Sequence, residues 1–361
     1  MYKQNEGALM KQTVKICNMT GLDSSLRELE TAKLVILMAP SPVFKDCVQR
    51  MGDLIPTVTN IGVCGQGYYE LKDHPEDIIL IGYYECEAVA DVIADVTKPI
   101  LSVQKMKEHM NAIQANAKNT VCLDFTTGND SVIVTTLNAC LSERDIALIG
   151  ATAWDNKVSF NGRLYENACV YALLKNTNGT IRAYMENIYV LDENMPRFVA
   201  TKIDEASQKI ITLDGKSAAS VYQEALGIRE SDIESQTFKN PIGREVGEDI
   251  YIISIKSHCP DGSLECYKRA NHMDTLTILR LGDYDAIIKD TVSKIKSDMP
   301  SIKGVFSVNC ILRYMMFNDM HYMGDYLGNM NQLGNHVGLV GCGEHFRTQH
   351  VNQTMTCLVF D

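Results

Sequence analysis

The chain of 361 residues is long enough to bury two sizeable cores, and its 45% hydrophobic and 22% charged residues are typical of a globular protein. Its formal net charge of −11 argues against nucleic acid and against an anionic membrane as the main partner, because both attract basic surfaces. No stretch approaches 18 uncharged apolar residues, so no membrane-spanning segment is expected.

The cysteines and the first residues indicate a cytoplasmic location. Residues 1–25 contain no apolar run of the kind that forms the core of a secretory signal. Most of the twelve cysteines lie inside apolar stretches, as Cys122 and Cys357 do, which is typical of buried reduced cysteine. Because there is no export signal and no Cys-x-x-Cys motif, we expect free thiols in a reducing cytoplasm.

Three segments of the chain share one pattern: a strand, a helix, a second strand with a glycine-containing corner, and a closing strand. In the first segment the four parts lie at residues 34–38, 43–51, 60–67 and 78–81. In the second they lie at residues 121–125, 131–141, 146–154 and 168–173. In the third they lie at residues 305–308, 314–330, 335–346 and 357–360.

Strand–helix–strand units favour parallel pairing of their strands. We therefore predict an α/β fold of two packed parts, built from repeated strand-helix-strand-strand units with mixed sheets. The alternative is that such patterns recur in any α/β protein without duplication. Residues 1–33 are predicted to form a peripheral N-terminal segment, and the polar stretch 231–236, after a helix that stops at Gly227, is predicted to separate two domains over 34–235 and 236–361.

Four short motifs occur in a characteristic order along the chain. They are Leu213-Asp214-Gly215-Lys216-Ser217-Ala218, Ser307-Val308-Asn309-Cys310-Ile311-Leu312-Arg313, Gly338-Leu339-Val340-Gly341-Cys342-Gly343-Glu344 and Asn352-Gln353-Thr354-Met355-Thr356. In this order the chain resembles the FIST proteins, named for F-box and intracellular signal transduction, over about residues 34–359. The first corner, from Cys64 to Glu70, departs from the family's Thr-x-x-Gly-Glu form, so ligand identity is the least transferable inference.

The resemblance implies a FIST N-like domain over 34–235 and a FIST C-like domain over 236–361. It also implies a cytoplasmic sensory protein that binds a small molecule, with amino acids among the candidate ligands. No output domain is recognised in the chain, so we expect the signal to pass to a separate protein partner. Some family members resemble haem proteins that sense nitric oxide, which makes a haem-based sensor the alternative.

The corner at Gly341, Cys342, Gly343 and Glu344 is the best candidate for ligand contact. Backbone N–H groups at its glycines are expected to face a carboxylate. Glu344 is expected to bind an amino group and Arg313 to hold the carboxylate in a bidentate pair. Cys310, Asn352 and Thr354, in the neighbouring motifs, complete the predicted ligand-binding set. The alternative is a simple turn in which glycines permit positive φ and Glu344 pairs with Arg313.

Three histidines are the candidate ligands for the haem-based alternative. His336, His345 and His350 lie within fifteen residues, and each is a candidate axial ligand for haem, the one cofactor that the sequence suggests. Their spacings of nine and five residues match no compact metal motif.

An enzyme is the third class of function considered. Cys310 and Cys342 follow strands, and His345 lies three residues after Cys342, so a Cys–His nucleophile is one reading of this corner. A nucleophilic thiol needs a lowered pKa and an orienting group. No hydrolase or transferase signature accompanies these residues, so a sensor without catalytic residues is preferred.

Overall fold

The computed structural model describes residues 8–247 and 249–361, and three related units account for most of it. The first unit consists of β1 (Lys11–Cys17), α1 (Leu22–Arg27), β2 (Leu34–Ala39), α2 (Ser41–Leu54), β3 (Asn60–Cys64), β4 (Gln66–Tyr69), β5 (Lys72–His74) and β6 (Ile78–Tyr84). The second consists of β7 (Glu87–Ile93), α3 (Val103–Ala112), β8 (Thr120–Thr126), α4 (Asp130–Leu141), β9 (Ala147–Thr152), β10 (Val158–Phe160), β11 (Arg163–Tyr165) and β12 (Cys169–Lys175).

The third unit has the same order of elements but carries an inserted sheet. It begins with β13 (Ile181–Asn187). The insertion comprises β14 (Tyr189–Leu191), β15 (Arg197–Asp204), β16 (Lys209–Leu213), β17 (Lys216–Ser217), α5 (Ala218–Leu226), β18 (Ile242–Val246), β19 (Asp249–Ile253), β20 (Ile255–His258), β21 (Leu264–Cys266) and β22 (Thr275–Leu281). The unit resumes with α6 (Tyr284–Asp298), β23 (Gly304–Cys310), α7 (Ile311–Asp319), α8 (Met323–Asn331), β24 (His336–Gly341), β25 (Glu344–Phe346), β26 (Gln349–Val351) and β27 (Thr354–Phe360).

Each unit builds its sheet in the same way. A parallel pair forms its centre, which is β2 with β3, β8 with β9, and β23 with β24. The closing strand, β6, β12 or β27, lies antiparallel beside the first strand of that pair. The opening strand, β1, β7 or β13, pairs antiparallel with the other edge of the closing strand. The predicted α/β class with repeated units and mixed sheets is confirmed.

The short hairpins at the corners are exchanged between units in a cycle. Strand β4 of the first unit pairs with β24 of the third, β10 of the second pairs with β3 of the first, and β25 of the third pairs with β9 of the second. Every unit therefore completes its neighbour's six-stranded sheet with its own corner. This exchange places residues of the third corner against the second unit.

The three sheets pack their inner faces on a common core. Ile36, Leu123 and Phe306, at equivalent places in β2, β8 and β23, all belong to this core, and the rings of Phe125 and Phe306 meet edge to face. The outer face of each sheet is covered by the helices of its own unit. Burial on both faces explains why these central strands read as nearly continuous apolar runs.

The segment predicted to be peripheral is part of the first unit from Lys11 onwards. Strand β1 pairs with β6 along its whole length, and α1 buries Leu22 and Leu26 completely. Residues 1–7 of that segment lie outside the described residues. The division predicted at residues 235 and 236 is also crossed by sheets, since β13 pairs with β27 and β4 with β24. The two predicted parts therefore share hydrogen-bonded sheets.

Candidate functional site

A glycine on the second parallel strand lets side chains from the two flanking strands meet. In the second unit this residue is Gly150, which lies between Asp124 of β8 and His345 of β25. In the third unit Gly338 lies in the same way between Ser307 and Tyr68, whose hydroxyl groups are 2.7 Å apart. A Cβ atom on Gly150 would overlap Asp124, and a Cβ atom on Gly338 would overlap the ring of Tyr68.

The contact over Gly150 is a buried charge cluster. The Nδ1 atom of His345 lies 2.7 Å from Oδ2 of Asp124, and its Nε2 atom lies 3.1 Å from Oδ1 of Asp130 at the start of α4. Burial alone would lower the pKa of His345, but the two carboxylates outweigh it and raise this pKa to about 10. His345 is therefore an imidazolium at neutral pH and donates both hydrogen bonds.

The two carboxylates differ in their surroundings. Burial raises the pKa of Asp124, although His345 offsets part of this rise. Burial also acts on Asp130, but His350, His345 and a hydrogen bond donated by Thr152 hold its pKa well below the usual range. The cluster thus has a firmly ionised carboxylate on the α4 side of His345.

The next layer of the corner comes from the β25–β26 hairpin. The ring of His350 meets that of His345 edge to face, with 5.8 Å between centroids. Burial lowers the pKa of His350 to about 4, and its Nε2 atom has no hydrogen-bond partner among residues 8–247 and 249–361.

Glu344 of the same hairpin is completely buried, and the hydroxyl group of Thr354 donates to its Oε2 atom over 3.0 Å. Burial raises the pKa of Glu344 to about 8.

A cavity of about 300 Å³ opens on the outer side of His350. It lies between α4 of the second unit, which contributes Ser131, and the inserted sheet, which contributes Arg244 of β18. Lys268 and Asp274, from the loop between β21 and β22, line it as well. Its volume is at the lower end of the range for small-molecule sites, and its lining is mostly polar and charged.

Two buried cations face this cavity. Lys268 is only 3% exposed, and its Nζ atom has no hydrogen-bond partner within the described part of the chain, although it lies over the ring of Tyr251. Burial and the neighbouring Arg244 lower the pKa of Lys268 to about 7. Arg244 contacts Asp274 over 3.5 Å and donates to Oε1 of Gln349 over 2.7 Å. Its Nε atom is also without a partner among the described residues.

Arg313 lies elsewhere. Its side chain is completely buried, pairs with the carboxylate of Glu186, and packs between the rings of Phe317 and Tyr326 at 5.0 and 5.3 Å from their centroids. The cavity has no contribution from Arg313 or Glu344. The alternative prediction, that Arg313 and Glu344 pair with each other, is wrong, because Arg313 forms its ion pair with Glu186.

The glycines of the corner serve close packing. Gly341 and Gly343 do not adopt positive φ, and a Cβ atom on Gly343 would overlap the ring of His350. Between them, the amide N–H of Cys342 donates to the carbonyl of Thr152, and the carbonyl of Gly343 accepts from the N–H of Thr152. The prediction of a turn in which these glycines adopt positive φ is therefore wrong.

The cysteines of the corner lack the features of a nucleophile. Burial and the carboxylate of Glu344 raise the pKa of the Cys310 thiol well above its usual range. Cys342 is exposed as a residue, but partial burial of its sulfur and the nearby carboxylates of Glu344 and Asp130 raise the pKa of its thiol. Both thiols are therefore protonated at neutral pH, and the thiolate is the reactive form.

The remaining predicted residues belong to the buried corner. The hydroxyl group of Thr354 donates a hydrogen bond to the carboxylate of Glu344. The thiol of Cys310 contacts the same carboxylate. Asn352 is 1% exposed, and its Oδ1 atom has no partner in the described ranges. Three predicted residues, Cys310, Glu344 and Thr354, are thus brought into contact with one another. Of all the predicted residues, His350 is the one that lines the cavity.

The three histidines do not fit a haem. Both nitrogens of His345 are engaged by carboxylates, which leaves no lone pair for iron. His336 is completely buried, is bound to Ser307 over 2.8 Å and packs on Tyr68. His350 faces a cavity lined by charged groups, unlike the apolar slot that a macrocycle needs. Among residues 8–247 and 249–361, no three His, Cys, Asp or Glu side chains are grouped to hold a metal ion.

Sequence reasoning missed the residues that make the cavity distinctive. Asp124 carried a usable signal, because it is the one charged residue in the apolar stretch Val121–Phe125. Lys268 and Arg244 carried none, since each reads locally as an ordinary surface cation. Their burial results from packing between the inserted sheet and the second unit.

Comparison with protein families gives two matches. Residues 33–216 match the FIST N domain, and residues 218–347 match the FIST C domain. A comparison with curated proteins finds no match. None of the helices described in the structure is long and apolar enough to cross a membrane.

Proposed function

The chain belongs to the FIST family, and from this premise we propose that it is a cytoplasmic sensory protein that binds a small carboxylate-bearing ligand, such as an amino acid, in the cavity lined by Lys268 and Arg244. FIST domains are associated with signal transduction and small-ligand sensing. The free state of all twelve cysteines supports a reducing location.

The observation that carries this proposal is the Nζ atom of Lys268, which is buried over the ring of Tyr251 with no hydrogen-bond partner among residues 8–247 and 249–361. Removing a charge from water without a partner costs several kcal/mol, and within the described residues Lys268 has none for its Nζ atom. A ligand carboxylate in the cavity supplies the missing partner. Arg244 adds a second positive charge, and its Nε atom also has no hydrogen-bond partner among the described residues.

The cavity also has a group for the other end of an amino acid. Asp274 lines it and is 17% exposed at the side chain, so one carboxylate is accessible to a ligand ammonium group. Ser131 of α4 provides a hydroxyl group on the opposite wall. This arrangement suits a small zwitterion or a small acid better than a large apolar molecule.

The position of the cavity suggests how ligand binding is converted into a signal. Its walls come from α4 of the second unit and from the inserted sheet, so a bound ligand contacts both. A ligand shifts a conformational equilibrium only by its difference in affinity for the two states. We propose that occupancy alters how these two elements pack and that a separate protein partner recognises the change.

A thermal-shift screen against amino acids and small organic acids tests the proposal. At about one hundred times its dissociation constant, a ligand stabilises the protein by about 2.7 kcal/mol, which raises Tm by a few degrees. We expect Lys268→Met to abolish this shift and Lys256→Gln to retain it, because Lys256 of β20 is exposed and paired with Glu265 of β21.

A ligand shift of equal size in wild type and Lys268→Met would place the binding site elsewhere and overturn the proposal. So would the absence of a shift with every acid tested. Circular dichroism of Lys268→Met in the absence of ligand establishes that the variant is folded.

A further inference from the structure

The amine of Lys268 has the surroundings of a carbonyl-reactive lysine. It is 3% exposed, it lines the cavity, and its Nζ atom has no hydrogen-bond partner in the described ranges. The charged and titratable groups that act on it are Arg244, Asp274, Glu344 and His350. An amine that donates no hydrogen bond and lies beside a bound ligand can attack a carbonyl group of that ligand.

We propose that Lys268 condenses with the carbonyl group of a small 2-oxo acid, whose carboxylate is held by Arg244, to form an imine. The inference rests on the carboxylate-binding cavity proposed above and names the class of ligand that it selects. A simple carboxylic acid or amino acid would bind there reversibly, whereas a 2-oxo acid would also become covalently attached.

The condensation uses only the amine and the ligand. The lone pair of Nζ forms a C–N bond to the 2-carbon while the π electrons of the C=O bond move to oxygen, and one nitrogen proton passes to that oxygen. The nitrogen lone pair then forms the second bond of C=N as the C–O bond breaks and hydroxide leaves. The remaining nitrogen proton joins this hydroxide, and one water molecule is released. No oxidant or reductant takes part.

The lowered pKa of Lys268 distinguishes its amine from that of an ordinary surface lysine. A lysine with an ordinary pKa near 10.4 is neutral in only about 0.04% of molecules at pH 7. Burial and Arg244 lower the pKa of Lys268 to about 7, so a large fraction is neutral and nucleophilic at that pH. Arg244 remains cationic and continues to attract the carboxylate.

Arg244 and Lys268 differ in their roles for this ligand. Arg244 is held in place by Gln349 and Asp274, which fixes its guanidinium at the wall of the cavity. Lys268 lies beside Arg244, because both cations contact the ring of Tyr251, at 5.4 and 5.9 Å from its centroid. A carboxylate bound to Arg244 therefore brings the adjacent carbonyl carbon towards Lys268 in the same cavity. Proximity of this kind accelerates a reaction between bound groups strongly.

Reductive trapping tests the proposal on the full-length protein. The protein is incubated with pyruvate and sodium cyanoborohydride at pH 7, and peptides are mapped by mass spectrometry. We expect Lys268 to gain one reduced adduct at a rate at least about ten times that of Lys256, an exposed lysine with an ion-pair partner. Lactate, which has the carboxylate but no carbonyl group, is expected to give no adduct and to slow the labelling by pyruvate.

The variant Lys268→Arg separates binding from chemistry. It keeps a cation in the cavity but has no amine that can form an imine, so we expect a thermal shift with pyruvate and no adduct. Lys256→Gln is expected to be labelled at Lys268 at the wild-type rate. The wild-type peptide map alone decides the proposal if Lys268→Arg does not fold.

The possible results distinguish this inference from the proposed function. Labelling of Lys268 no faster than that of Lys256, together with a thermal shift by pyruvate and lactate, would overturn imine formation and leave carboxylate binding intact. No labelling and no shift with any acid would overturn both. Rapid labelling that lactate does not slow would show a reactive lysine without a carboxylate site.

Discussion

His345 and Asp124 are 221 residues apart in the chain, yet the Nδ1 atom of His345 lies 2.7 Å from the Oδ2 atom of Asp124. The contact exists because strand β25 of the third unit is the neighbour of β9 in the second unit's sheet. Gly150, opposite His345, has no side chain to separate them. The same geometry joins Tyr68 to Ser307 in the third unit's sheet, so it belongs to the repeat.

His345→Gln is expected to lower the free energy of unfolding by about 3–5 kcal/mol, because it leaves the buried carboxylates of Asp124 and Asp130 without a counter-charge. Urea denaturation at pH 7 measures the change. Arg347→Gln is the control. Arg347 lies two residues after His345 on the same hairpin and pairs with the exposed Asp145 of the second unit, so this variant should lose at most about 1 kcal/mol. Equal losses in the two variants would contradict the prediction.

Gly150→Ala is expected to destabilise the protein by about 1–3 kcal/mol or more, because the added Cβ overlaps the side chain and backbone of Asp124. Thermal or urea denaturation provides the measurement. Gly328→Ala on α8 is a matched control, since a Cβ there meets no atom within 4 Å. An alanine within a helix should stabilise that variant by up to about 1 kcal/mol. A stable Gly150→Ala variant would show that the two strands separate more easily than the structure indicates.

Arg313→Ala is expected to cost about 3–5 kcal/mol of stability, because Glu186 is then left charged and buried. If instead Arg313 were a ligand contact, the variant would retain its stability and lose binding. The double variant with Glu186→Gln removes both charges and should recover part of the loss, which a double-mutant cycle measures. Simple addition of the two single losses would argue against a direct pair.

Binding of a carboxylate that lacks a carbonyl group should weaken above pH 7. The pKa of Lys268 is lowered to about 7 in the free protein, and a bound anion favours its charged form and raises that pKa. Affinity is therefore constant below pH 7 and falls by up to about tenfold per unit as pH rises towards the pKa of the complex. Titrations of the dissociation constant from pH 6 to pH 9 measure this. Lys268→Arg should show no such dependence, because arginine stays charged; a parallel decline in that variant would assign the effect to another group.

Local patterns in the sequence were sufficient for the repeat. The apolar runs at residues 34–38, 121–125 and 305–308 all became the first strand of a parallel pair, because burial on both faces requires continuous apolar side chains. The helices and glycine corners that follow them were recognised for similar local reasons. The opening strand β1 was missed as part of the first unit, since its residues are mostly half-buried at a sheet edge and lack a strong pattern.

The candidate site depended on contacts that no local pattern describes. Glycines at residues 341 and 343 suggested a turn with free N–H groups. In the structure, however, the β25–β26 hairpin pairs with β9 of the second unit, and the corner packs against Thr152 and His350. Arg313 looked available for a ligand because its partner, Glu186, lies 127 residues away.

By itself the sequence determined the class of fold, the repeated unit and the family, because apolar periodicity, turn residues and short motifs act within a few tens of residues. The tertiary structure alone decided that Lys268 and Arg244 line a cavity and that His345 is held between two carboxylates. Strand pairing and burial bring together residues far apart in the chain, and it is burial that changes the charge of a lysine or a histidine.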